Sequence, residues 1–264
     1  MIIIEGMVKR FHQGSANEVL AIDGIDLTIE TGEFITVIGS NGAGKSSLLN
    51  CLAGTHTIDA GRLIMDGTDI TTWPEHRRAR FIGRVFQNPL LGTCTNGSIA
   101  QNLSLAAKRG QRRGLGWGVK RSYRTQFREK LRTIGLGLED RLEDRVGLLS
   151  GGQRQALTML MATLVRPELL LLDEHTAALD PKTARQILGL TRTIVEENNL
   201  TTLMVTHNMK QALALGNRLV MLHQGRVIFD VSGSDKKELT VNDLLARFYD
   251  VQGEELATDR ILMA

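Results

Sequence analysis

Residues 39 to 46 read Gly39-Ser40-Asn41-Gly42-Ala43-Gly44-Lys45-Ser46, and this stretch decides the fold. A run rich in β-branched and aromatic residues, 34–38, precedes it, and an apolar helical stretch follows it through Ala53. Glycines let the backbone curl so that successive amide N–H groups face one point, where the following helix adds the positive end of its dipole. The order of strand, loop and helix predicts an α/β fold with a phosphate-binding P-loop.

The residue types of this loop each suit a bound nucleotide. Lys45 would reach the β- and γ-phosphates, the Ser46 hydroxyl would bind Mg²⁺, and Ser47 is a second hydroxyl beside it. The alternative is a glycine-rich turn that only begins a helix, and it does not account for the complete eight-residue pattern. We predict nucleotide contacts from Gly39, Ser40, Asn41, Gly42, Ala43, Gly44, Lys45, Ser46 and Ser47.

Length and composition restrict the organisation of the chain. Its 264 residues suffice for one large α/β domain with an inserted subdomain and are too few for two tandem nucleotide-binding domains. With 42% apolar and 23% charged residues it has the composition of a folded soluble protein. No apolar run approaches the roughly 18 to 20 residues of a membrane span. The start, 1–5, has no basic lead or cleavage site and is interpreted as a strand, so we expect a cytoplasmic protein.

Strand-like and helical patterns alternate along most of the chain. Strands are predicted at 2–8, 21–30, 34–38, 61–67, 81–86, 169–172, 201–206, 218–222 and 226–231, and helices from 72, at 181–198 and from 208. Residues 88 to 166 are helical in pattern, apart from a Gly- and Arg-rich stretch at 109–118 that we expect to be a mobile loop. The predicted fold is a P-loop NTPase core (1–87 and 167–231) with a mostly parallel sheet, an N-terminal antiparallel β-subdomain, an inserted helical subdomain (88–166) and a C-terminal tail (232–264).

Two acids, Asp173 and Glu174, follow the continuous apolar run at 169–172. Such a run is typical of a strand buried on both faces of a parallel sheet, and ligands of open α/β sheets bind at the carboxyl ends of the strands. We expect Asp173 to hold magnesium through water and Glu174 to polarise the water that attacks the γ-phosphate. A solvated acidic turn is the alternative, which four leucines leading directly into the acids disfavour.

A second glycine-rich helix start, Leu149-Ser150-Gly151-Gly152-Gln153, lies about a hundred residues after the P-loop. Ser150 and Gln153 form a capping box, and a plain helix cap is the alternative interpretation. The two glycines have poor helix propensity and weaken the first helical turn, and we expect no packing gain in return. Because glycine has no side chain, these positions do expose backbone N–H groups to an anion. We therefore predict a second phosphate contact, which the same chain cannot easily supply to the same nucleotide.

Together, the P-loop, the 149–153 motif, the 169–174 segment, Gln87 and His207 resemble the ATP-binding subunit of an ABC transporter, over about residues 2 to 231. The resemblance implies an ATPase that binds ATP and Mg²⁺ as a homodimer, with each ATP between the P-loop of one copy and the 150–153 helix start of the other. It also implies an integral membrane permease as partner, for uptake with a substrate-binding protein, and a peripheral position on the inner face of the cell membrane. No nucleic-acid partner is expected.

Four further site residues follow from the resemblance alone. Gln87 matches the glutamine that senses magnesium and the attacking water, and His207 matches the histidine that touches the γ-phosphate. Phe11 matches an aromatic residue that stacks on adenine, and Asp180 matches the acid of a short loop that crosses the dimer. Without the resemblance, Gln87 is a polar strand end, His207 a satisfied polar residue and Phe11 a core phenylalanine.

Two residues depart from the family pattern just before Asp180. His175 and Ala177 occupy positions that are commonly proline and serine, and we expect His175 to be a surface turn residue. The run 173–180 still resembles a bacterial subgroup of uptake systems that use binding proteins, with amino acids as the suggested substrates.

Positive charge is concentrated in one segment. The net charge is 32 − 29 = +3, but residues 76–128 contain twelve Arg or Lys and no acid. A membrane-facing surface that attracts anionic lipid is one interpretation, and a solvated arginine-rich face is the other for 109–121. The rival function is a soluble ABC-type ATPase acting on nucleic acid or the ribosome. The few aromatics and the lack of a coiled coil or a second ATPase domain argue against it.

Overall fold

The computed structural model describes residues 1–111 and 121–252. Most of the predicted 109–118 loop and residues 253–264 of the predicted tail lie outside the described residues. The elements in chain order are β1 (Ile2–Phe11), β2 (Val19–Ile29), β3 (Phe34–Gly39), α1 (Lys45–Ala53), β4 (Ala60–Met65), β5 (Thr68–Asp69), α2 (Glu75–Arg78), β6 (Ile82–Val85), α3 (Ile99–Ala107), α4 (Arg121–Ile134), a 3-10 helix (Val146–Leu148), α5 (Gly151–Thr163), β7 (Leu169–Asp173), α6 (Pro181–Glu197), β8 (Thr202–Val205), α7 (Met209–Ala214), β9 (Arg218–His223), β10 (Arg226–Ser232), α8 (Gly233–Glu238) and α9 (Val241–Gln252).

The chain folds into two compact units, Met1–Arg78 with Thr201–Ala264, and Ala79–Leu200. The first unit contains an antiparallel sheet in the order β2-β1-β4-β5. Ile2 and Ile4 of β1 are buried while Ile3 between them is less so, which is the period of two that a half-buried strand requires. The predicted N-terminal antiparallel β-subdomain is confirmed.

The first unit also contains the strand that leads into the P-loop. In this strand, β3, all six residues are buried, and it pairs in parallel with both β8 and β9, while β10 pairs antiparallel with β9. A strand with parallel neighbours on both sides is buried on both faces, which explains why β3 is apolar except at Thr36. The expected mostly parallel sheet is therefore present.

The last helix, α9, completes the core of the first unit. Leu244 and Phe248 are buried against Ile38, Met209 and Met221. The sequence interpretation assigned no element beyond residue 231, although apolar residues at 241, 244, 245 and 248 have the spacing of an amphipathic helix.

The described part of the second unit combines a parallel strand pair with the helices α3 to α6 and the 3-10 helix. β6 pairs with β7 in the register Ile82↔Leu169 to Val85↔Leu172, and Leu169 to Leu172 are fully buried. Helices α3 to α6 share one apolar cluster around Leu103, Phe127 and Leu157. The helical pattern predicted after residue 88 is confirmed. Within residues 1–111 and 121–252, no helix combines the length and apolar character that a membrane crossing requires.

Candidate nucleotide site

The P-loop lies between β3 and α1, where two glycines permit close backbone contacts. A Cβ on Gly39 would lie 2.3 Å from the carbonyl oxygen of Leu222, and one on Gly44 would lie 2.4 Å from that of Ala21. Gly44 also has φ 97°, a conformation that residues with side chains rarely adopt. These two positions therefore require glycine to hold the loop in its observed path.

Lys45 lies within the curve of this loop. Its Nζ donates to the carbonyl oxygens of Gly39 at 2.8 Å and Ser40 at 2.9 Å, and the side chain is buried. At the start of α1, Gly44 offers no side-chain cap and the first turn carries no acid. A buried ammonium beside a helix N-terminus favours a polyanion. With the exposed hydroxyl of Ser46 next to it, this arrangement fits a nucleotide triphosphate and its magnesium.

His207 follows β8 at the same edge of the sheet as the P-loop. Val37 of β3 is in register with Val205 of β8, so Gly39 and His207 each stand two residues beyond that pair. The strands are parallel and their carboxyl ends share one edge, which is the edge where ligands of α/β sheets bind. The half-buried His207 is thus on the P-loop side of the first unit.

Phe11 is the last residue of β1 and is half-buried. Its ring meets His56 edge to face, with the ring centroids 5.1 Å apart, and Lys9 Nζ lies 5.5 Å from its centroid. Phe11 is therefore not a fully buried core phenylalanine.

In the second unit, the two acids stand where β7 ends. Asp173 Oδ2 accepts a hydrogen bond from Arg84 Nη2 at 3.3 Å, and both side chains are largely withdrawn from water. The sequence interpretation missed this ion pair, although a lone arginine inside an apolar strand was the available signal. Gln87 is exposed and stands two residues beyond Val85, which pairs with Leu172, so Gln87 and the two acids follow the same edge of this strand pair.

Glu174 has an unusual backbone conformation. Its φ is 42°, in the left-handed region that side chains other than glycine rarely occupy, and its carbonyl oxygen accepts the N–H of Ala177 at 2.9 Å. Strained conformations of this kind persist only where the surrounding structure holds them, and they concentrate at functional sites.

Ser150 caps α5 through the predicted box. Its Oγ accepts the Gln153 N–H at 3.2 Å, and Gln153 Oε1 accepts the Ser150 N–H at 3.2 Å. The capping box binds the backbone N–H groups of Ser150 and Gln153. It does not bind the backbone N–H groups of Gly151 and Gly152. The expectation that the glycines bring no packing gain is wrong at Gly152, because a Cβ there would lie 2.2 Å from Thr183 Cγ2 in α6. Gly151 is exposed.

Asp180 is the N-cap of α6. Its Oδ1 accepts the backbone N–H groups of Lys182 and Thr183, each at 3.1 Å. Hydrogen bonding from Thr183 is the main reason why the pKa of this exposed carboxyl is lowered. A Cβ on Gly151 would lie 3.3 Å from Leu179 Cδ2, so the start of α5 lies beside the residues that lead into α6.

His175 is buried, and the expectation of a surface turn residue is wrong. Only 2% of the residue is exposed, and its Nε2 lies 2.9 Å from Thr191 Oγ1 of α6. Burial lowers the pKa of His175 to about 4, so the imidazole is neutral near pH 7. The other departure from the family pattern, Ala177, is exposed.

Several of the described basic residues in 76–128, among them Arg78, Arg84 and Arg109, are turned toward protein groups. The Arg78 guanidinium is fully buried and donates to the carbonyl oxygens of Cys51 and Leu52 at the end of α1. Arg84 pairs with Asp173, and Arg109 donates to backbone carbonyls at the end of α5 and just beyond it. The segment is therefore not a uniformly basic surface, and residues 112–120 of it lie outside the described residues.

The chain is similar to known proteins in sequence and in structure. The family model described as ABC transporter matches residues 22–177, a range that includes the P-loop, Gln87, the 150–153 motif and both acids. A tyrosine transport ATP-binding protein of Clostridioides difficile is 44% identical over 94% of this chain and 98% of its own length. A phosphonates import ATP-binding protein of Frankia casuarinae is 38% identical over 88% of this chain and 90% of its own length.

A solved structure is similar over most of the chain. It is a dimeric ATP-binding cassette, MJ0796, in a post-hydrolysis state bound to ADP and Pi. The TM-score is 0.74 at 28% identity, over 88% of this chain and 98% of that one.

Proposed function

The chain belongs to the ABC transporter family, and from that premise we propose how its residues share the work of an ATP-driven transport subunit. It binds ATP with Mg²⁺, hydrolyses ATP and powers transport through a separate membrane permease. The observation that carries the residue assignments is the buried Lys45 ammonium, enclosed by its glycine-rich loop at the uncapped start of α1.

Nucleotide binding is assigned to the first unit. Lys45 neutralises phosphate charge, the N–H groups of residues 39–47 cradle the phosphates, and the Phe11 ring stacks on the adenine. The Ser46 hydroxyl is a magnesium ligand. When bound, ATP–Mg²⁺ supplies the transferable phosphoryl group and a cation that neutralises its developing charge.

Catalysis is assigned to residues at the ends of three strands, β6, β7 and β8. Glu174 orients and polarises the attacking water, and its left-handed backbone supports this role because such strain is concentrated at functional sites. Asp173 would hold magnesium, and the exposed Gln87 would sense magnesium and the attacking water. His207, at the P-loop edge of the first unit, contacts the γ-phosphate.

The second phosphate contact is assigned to another copy of the chain. The capping box leaves the N–H groups of Gly151 and Gly152 outside its two hydrogen bonds, at the positive end of the α5 dipole. Ser150 to Gln153 of one copy then complete the site formed by the P-loop of the other, and Asp180 lies in the loop that crosses between the copies. The dimeric state of the similar cassette bound to ADP and Pi supports this homodimer.

The transport direction and substrate are inferred from relatives. The similar proteins are named for tyrosine transport, phosphonates import and methionine import. We infer uptake of an amino-acid-like substrate with a substrate-binding protein, and a position on the inner face of the cell membrane through the permease. None of these three names refers to nucleic acid or the ribosome, the targets of the rival function.

The residue assignment is tested with Glu174→Gln in the full chain. Removing the carboxylate removes the group that activates water, so this variant should bind ATP, lose turnover and accumulate closed dimers. Steady-state ATP hydrolysis, equilibrium binding of a fluorescent ATP analogue and light scattering measure these three properties. Glu196→Gln, on the exposed face of α6, is the matched control and should hydrolyse ATP at the wild-type rate. Wild-type turnover by Glu174→Gln would remove the assignment of Glu174.

A further inference from the structure

The loop from β7 to α6, residues 174–180, must hold Glu174 in a conformation that it would not adopt by itself. Glu174 has φ 42°, and strand β7 fixes only the residues before it. The Ala177 N–H closes the turn by donating to the Glu174 carbonyl oxygen, and a side-chain contact beyond Glu174 would anchor this turn to the rest of the unit.

His175, the next residue, supplies such a contact. Its side chain is buried, and Nε2 lies 2.9 Å from the hydroxyl oxygen of Thr191, which is itself fully buried. The Thr191 hydroxyl donates its one hydrogen to the carbonyl oxygen of Ile187 at 2.9 Å. It must accept from His175, so the imidazole carries its proton on Nε2.

Thr191 is held in a fixed position because it lies in the packed part of α6. It lies in the interior of this seventeen-residue helix, one turn after Ile187, which is buried in the apolar cluster of the second unit. The far end of the loop is attached separately, where Asp180 caps the same helix. His175 thus ties the residue beside Glu174 to the packed part of the helix, and Asp180 ties the loop to its start.

We propose that His175 is a positioning residue, whose hydrogen bond to Thr191 holds the left-handed turn at Glu174 and so aims the Glu174 carboxylate at the attacking water. The inference rests on the proposed catalytic role of Glu174. His175 itself contacts α6 and does not take part in proton transfer.

Thr191→Val tests the tie by removing the acceptor with little change in side-chain size. We expect kcat for ATP hydrolysis to fall about tenfold or more, with KM for ATP unchanged, because a small misplacement of a catalytic group slows chemistry without weakening binding. Thr191→Ser keeps the hydroxyl and should retain kcat within about threefold. Thr163→Val, which removes a hydroxyl bonded only within α5, is the control and should leave kcat unchanged.

A double variant separates positioning from stability. Thr191→Val leaves a buried imidazole N–H without its acceptor and lowers stability, whereas His175→Leu with Thr191→Val removes both polar groups and should recover much of the melting temperature. We expect the double variant to remain slow. Recovery of wild-type kcat in the double variant would overturn the proposal, because the pair would then contribute stability alone.

Spectroscopy gives a second readout. In protein labelled with ¹⁵N-histidine, the wild type and Thr191→Ser should show a slowly exchanging Nε2–H signal that Thr191→Val lacks. If Glu174→Gln abolishes turnover while Thr191→Val loses this signal and keeps full kcat, the positioning role fails and the role of Glu174 stands. If Glu174→Gln turns over normally, the proposed function itself has failed.

Discussion

The side chains of Arg84 and Asp173 form an ion pair that is largely withdrawn from water, with side-chain exposures of 12% and 16%. Asp173 is the residue assigned to magnesium, so Arg84 fixes the carboxylate of a metal ligand from the neighbouring strand. The Arg84 guanidinium also lies 4.5 Å from the centroid of the Phe86 ring, which restricts it further. The ion pair therefore fixes the position of the Asp173 carboxylate at the end of β7.

Arg84→Met should therefore lower the free energy of unfolding by about 3 kcal/mol, because breaking a buried pair leaves one charge uncompensated. Urea denaturation measures the loss. The matched control is Arg192→Met, which breaks an exposed pair with Glu196 and should cost less than about 1 kcal/mol. Equal losses in the two variants would show that the Arg84 pair is not effectively buried.

For single residues, the chemical role was predictable from the sequence, whereas the contacts and the burial of the side chain were not. The chemistry of Lys45, Asp173 and Glu174 follows from their place after strands, which the sequence pattern indicates. The burial of His175 does not, because its partner Thr191 lies sixteen residues away on another element and no local pattern marks the pair.

At the scale of elements, the start of α5 has two constraints that act on different glycines. Gly152 faces α6 at close range, where a Cβ would meet Thr183 Cγ2 at 2.2 Å, while Gly151 is exposed and faces only a flexible Leu179 side chain. The sequence alone treated both glycines as an anion contact, since helix packing distances are not visible in a motif. Gly152 is thus explained partly by packing within the unit.

Gly152→Ala should lower the melting temperature by several degrees, corresponding to roughly 1 to 3 kcal/mol of overpacking between α5 and α6. Differential scanning calorimetry measures the shift. Adding Thr183→Ser removes the Cγ2 that the new methyl group meets, so the double variant should recover most of the loss. If Thr183→Ser gives no recovery, the destabilisation does not come from this contact.

The strands and helices themselves were largely predictable, for a physical reason. β7 and β3 are short, largely apolar runs followed by polar residues, and α6 begins at Pro181 after its N-cap Asp180, so local chemistry marks their limits. The prediction missed α9, although the apolar residues at 241, 244, 245 and 248 have the spacing of an amphipathic helix. The residues on which this helix packs, Ile38 and Met209, lie in distant parts of the chain.

At the scale of the whole molecule, the central claim is that one ATP site is built from two copies of the chain. The P-loop lies in the first unit and the 150–153 helix start in the second, and both belong to every copy. Consider a mixed dimer in which one copy has a defective P-loop and the other has a defective helix start. Both defects then lie in the same ATP site, and the second site is built from the intact P-loop and the intact helix start.

Mixing two inactive variants tests this claim most directly. Lys45→Ala removes the buried ammonium, and Gly151→Asp places a carboxylate at the phosphate contact while suiting a helix N-terminus. ATP hydrolysis is measured for each variant alone and for an equal mixture. Random pairing gives half mixed dimers with one intact site of two, so with independent sites the mixture should recover about a quarter of the wild-type rate. A mixture no more active than the two variants measured separately would contradict a site shared between two copies.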